Sequence, residues 1–472
     1  MDTQLAILGA GPGGYAAAFR AADLGMQVTL VEQQAQLGGI CLLRGCIPSK
    51  ALLHVAKAVA EARRLADWGV EFGEPAIDVD ALRARKQKGI ATLTGGLRQL
   101  AARRKVRVVH ALGTFEDSRT LRLAPAGDAG LDDDRLCFEH CIVATGSRAV
   151  RPAAFELPTP RVMDSSGALE LPDVPDSMLV VGGGYIGLEM GTVYAALGTR
   201  VSVVELTDGL LPGVDRDLVR PLQRKLEREF EAIYLSAKAA ALADRGDAIE
   251  VVFEGDVQPT VQRFDRVLVC VGRRPNSGGL GLENTRVEVD SEGFIRVDAR
   301  RRTADPHVWA IGDVAGPPML AHKATHEGKV AAEALAGEPA VFEPAAVPAV
   351  VFTDPEIAWA GLSETEAGAG GRAVEVAKFP WAASGRAQAV GQTEGMTKWL
   401  VEPQSHRLLG CGIVGAAAGE LIAEAVLAIE TGAKVQDLID TIHPHPTFSE
   451  TLGGAAEVCL GTATDLYRPK RK

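Results

Sequence analysis

One glycine-rich pattern occurs twice in this chain, and both copies have the same internal spacing. The first copy is GAGPGG at residues 9–14 and the second is GGGYIG at residues 182–187; each follows a short apolar run and precedes a predicted helix. Glu32 and Glu205 end the next apolar run in each copy, and like the first glycines they lie 173 residues apart. A strand, these glycines, a helix and an acid at a strand end form a dinucleotide-binding unit. The sequence therefore predicts an α/β fold that contains this unit twice.

The glycines and the acid have separate roles in binding a dinucleotide. The glycines allow a tight turn and a close approach of the backbone to a pyrophosphate, which lies at the N-terminus of the following helix. The acid can accept hydrogen bonds from ribose hydroxyls. A carboxylate at Glu205 would repel a 2′-phosphate, so the second unit favours NAD over NADP, although Arg200 lies nearby, before the strand. Two dinucleotides are expected, one in each unit.

Two cysteines, Cys41 and Cys46, have only four residues between them and lie beside glycines, just before an apolar helix predicted from Ser49. Cysteines this close can form a bridge only across a tight, bent backbone, which glycines permit. A helix N-terminus and the cations Arg44 and Lys50 would favour a thiolate. Alone, the pattern also fits two buried cysteines or half of a metal site. The sequence has no second close Cys/His cluster to complete a zinc site, so the metal interpretation is disfavoured and no metal is expected. On this pattern alone a redox-active pair has about even odds, and the rest of the chain has to decide.

Length and composition exclude several classes of protein. The chain has 472 residues, enough for about three domains, and a formal net charge of −11, which argues against sequence-independent nucleic-acid binding. The N-terminus lacks a cationic stretch with a cleavage site, and no uncharged apolar run is long enough to span a bilayer. Seven cysteines in so long a chain do not form a secreted disulfide framework. We therefore expect a cytoplasmic protein with no membrane or nucleic-acid partner.

The rest of the first unit is predicted from apolar periodicity and turn residues. Helices are expected at residues 15–24, 49–65 and 79–104, and a polar-tipped β insertion at residues 120–138. A strand runs into a glycine at the end of each unit, at residues 141–146 and 266–272. Cys137 and Cys141 lie in or beside the first of these strands, and core packing is favoured for them over a metal or redox role.

Beyond residue 272 the chain is expected to return to the first unit. A strand at residues 308–311 is followed by Asp313 and then by a helix at residues 324–335. An aspartate between a strand end and a helix suits a contact to a flavin ribityl chain or a phosphate, but it suits a simple helix cap equally well.

The last segment, about residues 346–472, has no nucleotide-binding pattern and mixes predicted strands and helices, for example at residues 398–401 and 420–430. It contains His443 and His445 in a proline-rich loop, followed by Glu450, which can orient an imidazole. Taken alone, such a loop is more typical of an ordinary surface turn.

Together these stretches resemble the pyridine nucleotide–disulfide oxidoreductases, and among them most closely the dihydrolipoamide dehydrogenases, the E3 components of 2-oxo-acid dehydrogenase complexes. The resemblance extends over essentially the whole chain. The matching stretches are GAGPGGYAAAFRAADLG, CLLRGCIPSKALLH, ATGSR, GGGYIGLE, AIGDVAGPPMLAHKA, FPWAASGRA and HPTFSE.

The resemblance implies two Rossmann-like dinucleotide-binding domains, one for FAD and one for NAD, and a C-terminal α+β dimerisation domain. The implied boundaries are residues 1–147 for the FAD-binding domain, 148–273 for the NAD-binding domain, 274–345 for a central segment that returns to the FAD domain, and 346–472 for the interface domain.

The resemblance also implies residues for each cofactor. The implied FAD contacts are Gly9, Gly11, Gly14, Glu32, Lys50, Gly113, Thr145, Gly146, Asp313 and Ala321. The implied NAD contacts are Gly182, Gly184, Tyr185, Gly187, Glu205 and Gly272. Lys50 would lie near the flavin N5 and pair with Glu189, and the Tyr185 ring would cover the flavin face until the nicotinamide enters.

The implied chemistry moves electrons from a dithiol to a Cys41–Cys46 disulfide, then to FAD and to NAD. Cys41 would be the thiol that exchanges with dihydrolipoamide, and Cys46 would be the thiolate beside the flavin. A thiol must be deprotonated to attack, and His445, with Glu450 as its partner, matches the base of the family. His443 matches a second, less critical histidine.

In the family the base comes from the other subunit, so a homodimer is implied. The implied partners are the lipoyl domains and subunit-binding domain of an E2 acyltransferase, or the H protein of glycine cleavage. Because no lipoyl domain precedes residue 1, the lipoyl arm is expected to come from another chain.

One departure and three rival interpretations follow from the comparison with the family pattern. The family usually has Asn-Val between the cysteines where this chain has Leu43 and Arg44, so Arg44 is expected to lower the thiol pKa values relative to an Arg44→Val variant. A glutathione-type reductase would need basic residues near Glu205, and a mercuric reductase a C-terminal cysteine pair where Cys459 is alone. A non-catalytic E2-binding subunit would tolerate loss of the cysteines or of His445, all of which are present.

Overall fold

The computed structural model describes residues 1–126, 130–131 and 133–467, and its first sheet is built on the first glycine pattern. Strand β1 lies between β2 and β5 and is parallel to both; β3 continues from β2 into an antiparallel ladder with β4. The elements are β1 (Asp2–Leu8), α1 (Pro12–Asp23), β2 (Val28–Glu32), α2 (Gly39–Arg44), α3 (Cys46–Arg64), α4 (Val79–Arg103), β3 (Arg107–Asp117), β4 (Thr120–Pro125) and β5 (Arg135–Val143).

The second glycine pattern begins an equivalent sheet. The elements of this part of the chain are β6 (Ser147–Ala149), β7 (Val162–Met163), α5 (Ser165–Glu170), β8 (Ser177–Val181), α6 (Tyr185–Leu197), β9 (Arg200–Val204), α7 (Arg216–Glu229), β10 (Ala232–Tyr234), β11 (Lys238–Asp244), β12 (Ile249–Glu254), β13 (Val261–Phe264), β14 (Arg266–Val269) and β15 (Arg273–Pro275). Strands β11, β12 and β13 form a separate antiparallel sheet, and β6 pairs with β15. The parallel order is β10-β9-β8-β14-β7, with the glycine turn after the central strand, as in a Rossmann unit. Arg200 is the first residue of β9 rather than a residue before it.

After the second sheet the chain returns to the first. Strand β16 (Val308–Ala310) pairs in parallel with β5, and helix α8 (Ala321–Leu335) packs on α1. The two helices meet at glycines, because a Cβ added to Gly328 would lie 2.5 Å from the carbonyl oxygen of Gly13. The predicted return of this segment to the first unit is therefore correct.

The remaining elements form an antiparallel sheet covered by helices. They are β17 (Ala349–Val351), β18 (Glu356–Gly361), α9 (Glu364–Ala369), β19 (Glu375–Pro380), α10 (Gly385–Ala389), β20 (Met396–Val401), β21 (Leu408–Gly415), α11 (Ala418–Glu430), α12 (Val435–Asp440) and α13 (Glu450–Leu460). The strand order is β17-β18-β21-β20-β19. Trp381 and Trp399 are fully buried beneath it, and each indole N–H has an acceptor, Thr397 Oγ1 and Leu452 O at 3.0 Å.

Two glycines of each pattern are required by the turn between strand and helix. Gly9 and Gly182 have φ of +99° and +107°, a conformation that L side chains rarely adopt. A Cβ on Gly14 would lie 1.8 Å from the Gly9 carbonyl oxygen, and one on Gly187 would lie 2.4 Å from that of Gly182. In both sheets, glycine is therefore required at the first and last positions of the pattern, for its backbone conformation and for the close approach of the helix to the strand end.

The predicted elements are present, but several begin earlier than predicted. Helix α1 begins at Pro12 instead of residue 15, because proline suits the first helical position. Helices α3 and α8 begin at Cys46 and Ala321, each three residues before the predicted start. The insertion at residues 120–138 is β4 and the first half of β5; residues 127–129 and 132 of its tip lie outside the described part.

The prediction for the two cysteines of β5 is right for one and wrong for the other. Cys141 is fully buried, whereas Cys137 is exposed. The first half of β5 alternates between exposed and buried residues, and Cys137 falls on the exposed face between Leu136 and Phe138.

One helical segment, Gly39–Trp68, has the length and mean hydropathy (1.2) of a membrane span. Helices α2 and α3 are separated within it at Gly45, and 33 % of its most apolar part is buried against the rest of the protein. One such helix is weak support for a membrane span, because core helices of soluble proteins meet the same criteria.

A buried ion cluster joins α7 of the second sheet to the C-terminal sheet. Asp215, Asp217 and Glu364 lie close enough together to bind a metal ion, but the ammonium of Lys398 lies among them at 2.7 to 2.8 Å from each. Lys398 is 1 % exposed and is fixed on β20. A lysine therefore supplies the positive charge that these carboxylates require.

Candidate functional site

A cavity of about 600 Å³ lies at the carboxyl end of the first sheet and extends to the start of α6. This is the edge of a parallel sheet at which dinucleotides bind. Of the ten predicted FAD contacts, only Gly14 is not in the lining, because it packs against Gly9; the lining includes Gly9, Gly11, Glu32, Lys50, Gly113, Thr145, Gly146, Asp313 and Ala321. Cys41, Cys46, Tyr185 and Glu189 line the same cavity.

The geometry of the lining fits a dinucleotide such as FAD. A Cβ added to Gly11 would have a single neighbour, the Cα of Gly39 at 4.0 Å, so the backbone there is open to a phosphate. Glu32 accepts hydrogen bonds from the backbone N–H of Ala10 at 2.7 Å and of Gln34 at 2.8 Å. These bonds fix its carboxylate at the cavity edge, where ribose hydroxyls would bind.

The second unit repeats these contacts at the same offset. Glu205 accepts hydrogen bonds from the backbone N–H of Gly183 at 2.7 Å and of Thr207 at 2.8 Å. A Cβ on Gly184 would meet nothing within 4 Å, so this turn is also open to a pyrophosphate. Gly272 follows β14 with φ of +125°, and Tyr185, 41 % exposed, lies at the boundary with the first cavity.

The two cysteines face each other across a break between helices. Cys41 lies in α2 and Cys46 begins α3, with Gly45 between the two helices. A Cβ on Gly45 would lie 2.9 Å from the carbonyl oxygen of Ile40 and 3.3 Å from the Cα of Cys41. Glycine therefore lets α3 approach α2 closely enough for the cysteines to meet. The structure presents them as two thiols joined by a hydrogen bond.

The two thiols differ strongly in acidity. The hydrogen bond from Cys41 lowers the pKa of Cys46 to about 7 against the opposing effect of burial, and the charge of Lys50 lowers it further. The same hydrogen bond, with burial, raises the pKa of Cys41. Cys46 is therefore the thiolate of the pair. Lys50 is the cation that lowers the pKa of both thiols. The lower thiol pKa values expected relative to an Arg44→Val variant stay a prediction.

Lys50 and Glu189 form an ion pair that joins three parts of the chain. The Lys50 ammonium lies 2.8 Å from the Glu189 carboxylate and 4.4 Å from the ring centre of Phe352. Glu189, only 3 % exposed, also accepts hydrogen bonds from the Ser49 hydroxyl and the Phe352 N–H, both at 3.0 Å. Because α3 and the segment after β17 both bond to this carboxylate of α6, it fixes the position of Lys50 beside Cys46.

Several side chains near the site were not found by sequence analysis. The Ser147 hydroxyl donates to Asp313 at 2.5 Å and accepts from Arg273 Nε at 2.8 Å. Asn276 donates to the Thr145 carbonyl at 3.0 Å. Ser147 and Arg273 each directly follow a predicted glycine contact, so adjacency in sequence could have identified them, whereas nothing in the sequence indicates Phe352.

The histidine loop is well organised but does not contribute to the cavity of its own chain. Glu450 accepts from His445 Nδ1 at 2.8 Å, which leaves Nε2 as the basic nitrogen; the His445 side chain is 78 % exposed. His443 pairs with Glu424 at 2.8 Å, and that hydrogen bond raises the pKa of His443. The structure therefore brings His445 and Glu450 together, as predicted, but His445 is absent from the lining that contains Cys41.

Comparison with known proteins places the chain in a family. The profile of the pyridine nucleotide-disulphide oxidoreductases matches residues 3–328, and that of their dimerisation domain matches residues 347–456. The chain belongs to this family of oxidoreductases. The predicted combination of two nucleotide-binding units with a dimerisation domain is thereby confirmed.

Relatives within the pyridine nucleotide-disulphide oxidoreductases match the full length of the chain. Two proteins named dihydrolipoyl dehydrogenase, from Haemophilus influenzae and Vibrio cholerae, are each 48 % identical to it, over 100 % of this chain and 98 % of their own. Among solved structures, LpdA from Mycobacterium tuberculosis has a TM-score of 0.88 at 28 % identity and covers 96 % of this chain and 99 % of its own. The flavoprotein disulfide reductase RclA from Escherichia coli has a TM-score of 0.85 at 27 % identity and covers 97 % of this chain and 99 % of its own.

As a pyridine nucleotide-disulphide oxidoreductase, the chain is an enzyme, and its cofactors are FAD and NAD, as predicted. The cavity beside the cysteines fits the flavin, and the open turn at Gly184 with the acid at Glu205 fits the nicotinamide dinucleotide.

Proposed function

We propose that this protein oxidises the dihydrolipoyl group of a partner protein to lipoyl and reduces NAD, the reaction of a dihydrolipoyl dehydrogenase. The observation that carries this proposal is the Cys41–Cys46 pair in the wall of the flavin cavity, with one thiol of lowered pKa. The full-length relatives named for this reaction support it.

The unequal acidity of the two thiols suits a directional exchange. A substrate thiolate attacks Cys41 Sγ of the oxidised pair, which breaks the Cys41–Cys46 bond and releases Cys46 as a thiolate. Because the pKa of Cys46 is about 7, it is a good leaving group. The second substrate thiolate then attacks the mixed disulfide, and Cys41 leaves and takes up a proton, in line with its raised pKa. The substrate has lost two electrons and the cysteine pair has gained them.

The bound flavin supplies two-electron transfer from the reduced cysteine pair to NAD. Lys50, fixed by Glu189, stabilises the Cys46 thiolate at the cavity wall. Tyr185 is placed to control access from the side of the second unit. Glu205 directs recognition toward a free ribose hydroxyl, which favours NAD over NADP.

The base that activates the substrate thiols is His445, and we propose that it acts on the cysteine pair of a second copy of the chain. Its Nδ1 is held by Glu450, its Nε2 has no hydrogen-bond partner among the described residues, and the side chain is 78 % exposed. The matched dimerisation profile supports a homodimer.

We further propose the domain boundaries, partners and location that the family implies. The boundaries are residues 1–147, 148–273, 274–345 and 346–472. The substrate arm would be a lipoyl domain of an E2 acyltransferase or the H protein of glycine cleavage, with the E2 subunit-binding domain as docking partner. The location would be the cytoplasm.

The proposed reaction is tested by reducing the purified holoenzyme with dihydrolipoamide under anaerobic conditions, followed by NAD. We expect a long-wavelength thiolate–flavin absorbance that disappears as NADH forms, and no such absorbance in a Cys46→Ser variant. If the flavin is bound but dihydrolipoamide produces neither the absorbance nor NADH, the proposed substrate is wrong. Preference for NADPH over NADH in the reverse direction would contradict the role given to Glu205.

A further inference from the structure

Four cationic side chains line the flavin cavity, and one of them lacks a partner. Lys50 pairs with Glu189, Arg148 donates to Asn276 Oδ1 at 3.1 Å, and Arg273 donates to Ser147. Arg44 is half-buried and forms no hydrogen bond or ion pair with any residue in the described part of the chain. A guanidinium has five donors, and leaving them partly desolvated without an acceptor is unfavourable.

The carboxylates of the cavity do not supply that acceptor. Glu32 is bonded to backbone N–H groups, Glu189 to Lys50 and Asp313 to Ser147. Among the described residues, no hydrogen bond joins Arg44 to either cysteine sulfur. The anion that would pair with Arg44 therefore comes from outside the chain.

The position of α2 indicates which anion this is. Gly39, the first residue of α2, packs against the glycine turn: a Cβ on Gly39 would lie 2.6 Å from the Cα of Gly11. Arg44 is the last residue of this helix, about 7.5 Å further along its axis. Side chains on a helix lean toward its N-terminus, so a long side chain at this position can reach back toward the turn. Arg44 and Gly11 line the same cavity.

We propose that the Arg44 guanidinium binds the pyrophosphate of FAD, in addition to the N-terminus of α1. The pyrophosphate lies at the open backbone of Gly11, and a planar guanidinium can donate two parallel hydrogen bonds to phosphate oxygens. The inference rests on the proposed function only through the bound flavin. It assigns the residue between the cysteines to holding the cofactor and not to tuning the sulfurs.

The test measures binding to the apoprotein by calorimetry, with FAD, ADP and riboflavin as separate probes. ADP carries the pyrophosphate without the flavin, and riboflavin carries the flavin without the pyrophosphate. We expect Arg44→Val to weaken binding of FAD and of ADP by about tenfold or more and to leave riboflavin binding unchanged. Arg44→Lys should bind FAD and ADP with intermediate affinity, because lysine keeps the positive charge but cannot donate two parallel hydrogen bonds as the planar guanidinium does. The difference in FAD affinity between the wild type and Arg44→Val should become smaller as the salt concentration rises from about 0.05 to 0.5 M.

The matched control is Arg220→Val, which removes an equal charge from the exposed face of α7 and should bind all three probes as the wild type does. Circular dichroism of the apoproteins checks folding. If Arg44→Val is unfolded, the FAD affinity of Arg44→Lys and the salt dependence of that affinity test the proposal instead. FAD affinity of Arg44→Val within twofold of wild type would overturn the proposal, as would an equal loss of riboflavin binding. Wild-type protein that binds FAD but does not oxidise dihydrolipoamide would contradict the proposed function and leave this inference intact.

Discussion

Lys50 and its partner Glu189 have opposite effects on the pKa of Cys46. The ammonium lowers the pKa of Cys46, while the carboxylate of Glu189 raises it. Glu189 also holds the ammonium in place at 2.8 Å. Glu189 therefore positions Lys50, while the charges of the two residues change the pKa of Cys46 in opposite directions.

This opposition gives a prediction for the reduced holoenzyme. Lys50→Met should raise the pKa of Cys46 by about one unit or more, because the stabilising cation is removed, so the thiol form should dominate at pH 7. Glu189→Gln should lower the pKa of Cys46, because the opposing charge is removed. The measurement is a pH titration of the long-wavelength thiolate–flavin absorbance.

Lys57→Met is a suitable control, because Lys57 lies on the same helix but pairs with Glu356 at 3.6 Å. In Lys57→Met, the pKa of Cys46 should be the same as in the wild type. A shift of the same sign in Lys50→Met and Glu189→Gln would show that the thiolate does not respond to the charges of the pair in this way.

The glycines of the two strand–helix turns could be predicted from the sequence, because their roles depend on local backbone geometry that only glycine allows. Gly9 and Gly182 have the positive φ that the pattern requires. The contribution of Phe352 could not be predicted, because it depends on a contact between segments more than 160 residues apart. Whether Arg44 acts on the cysteines or on a cofactor depends on where its side chain points, which sequence does not specify.

At the scale of elements, strand β20 is joined to helix α7 through Lys398. Burial works against the charges of the cluster, but the hydrogen bond from Lys398 and others from backbone N–H groups lower the pKa of Asp215 to about 2. Burial also opposes the charge of Lys398, yet hydrogen bonds to Asp215, Asp217 and Glu364 raise its pKa. Asp215 and Lys398 are therefore both charged at neutral pH, and their ion pair joins the second sheet to the C-terminal sheet.

Removing the buried cation should leave carboxylates without compensation. We expect Lys398→Met to lower the free energy of unfolding by about 3–5 kcal/mol at pH 7, because one partner of a buried network is lost. Thermal or denaturant unfolding monitored by circular dichroism measures this change. Lys378→Met is the control, because Lys378 is 40 % exposed and pairs with Asp217 and Glu364; it should lower the free energy by less than about 1 kcal/mol.

The same cluster makes the free energy of unfolding depend on pH. Asp215 has a folded-state pKa of about 2, below the unfolded value of about 3.9, so its contribution to stability is present above that unfolded value and is lost as the pH falls toward 2. In Lys398→Met this loss between pH 4 and 2 should be smaller, because the carboxylate is no longer held ionised. An unchanged acid dependence would mean that other groups dominate acid unfolding.

For the whole molecule, the separation of His445 from the cavity of its own chain is a feature that the residue patterns alone could not reveal, although the family resemblance implied it. The sequence indicated both halves of a thiol-exchange site, the cysteine pair and the histidine with its acid. The fold shows that each half is complete in itself: one faces the flavin cavity, and the other extends from the C-terminal sheet with 78 % of the His445 side chain exposed. A site that requires both halves fits a symmetric dimer with two equivalent sites.

This arrangement can be tested by complementation between two inactive variants. Cys41→Ser lacks the attacked sulfur and His445→Gln lacks the base, so each homodimer should oxidise dihydrolipoamide at least about a hundredfold more slowly than wild type. In a heterodimer isolated with two different affinity tags, one site contains Cys41 and His445 from different chains, and the other site lacks both. If the base acts across the dimer, the heterodimer should recover about half of the wild-type activity per dimer. If His445 served the cysteines of its own chain, neither site of the heterodimer would be complete, and the activity would remain at the level of the two variants.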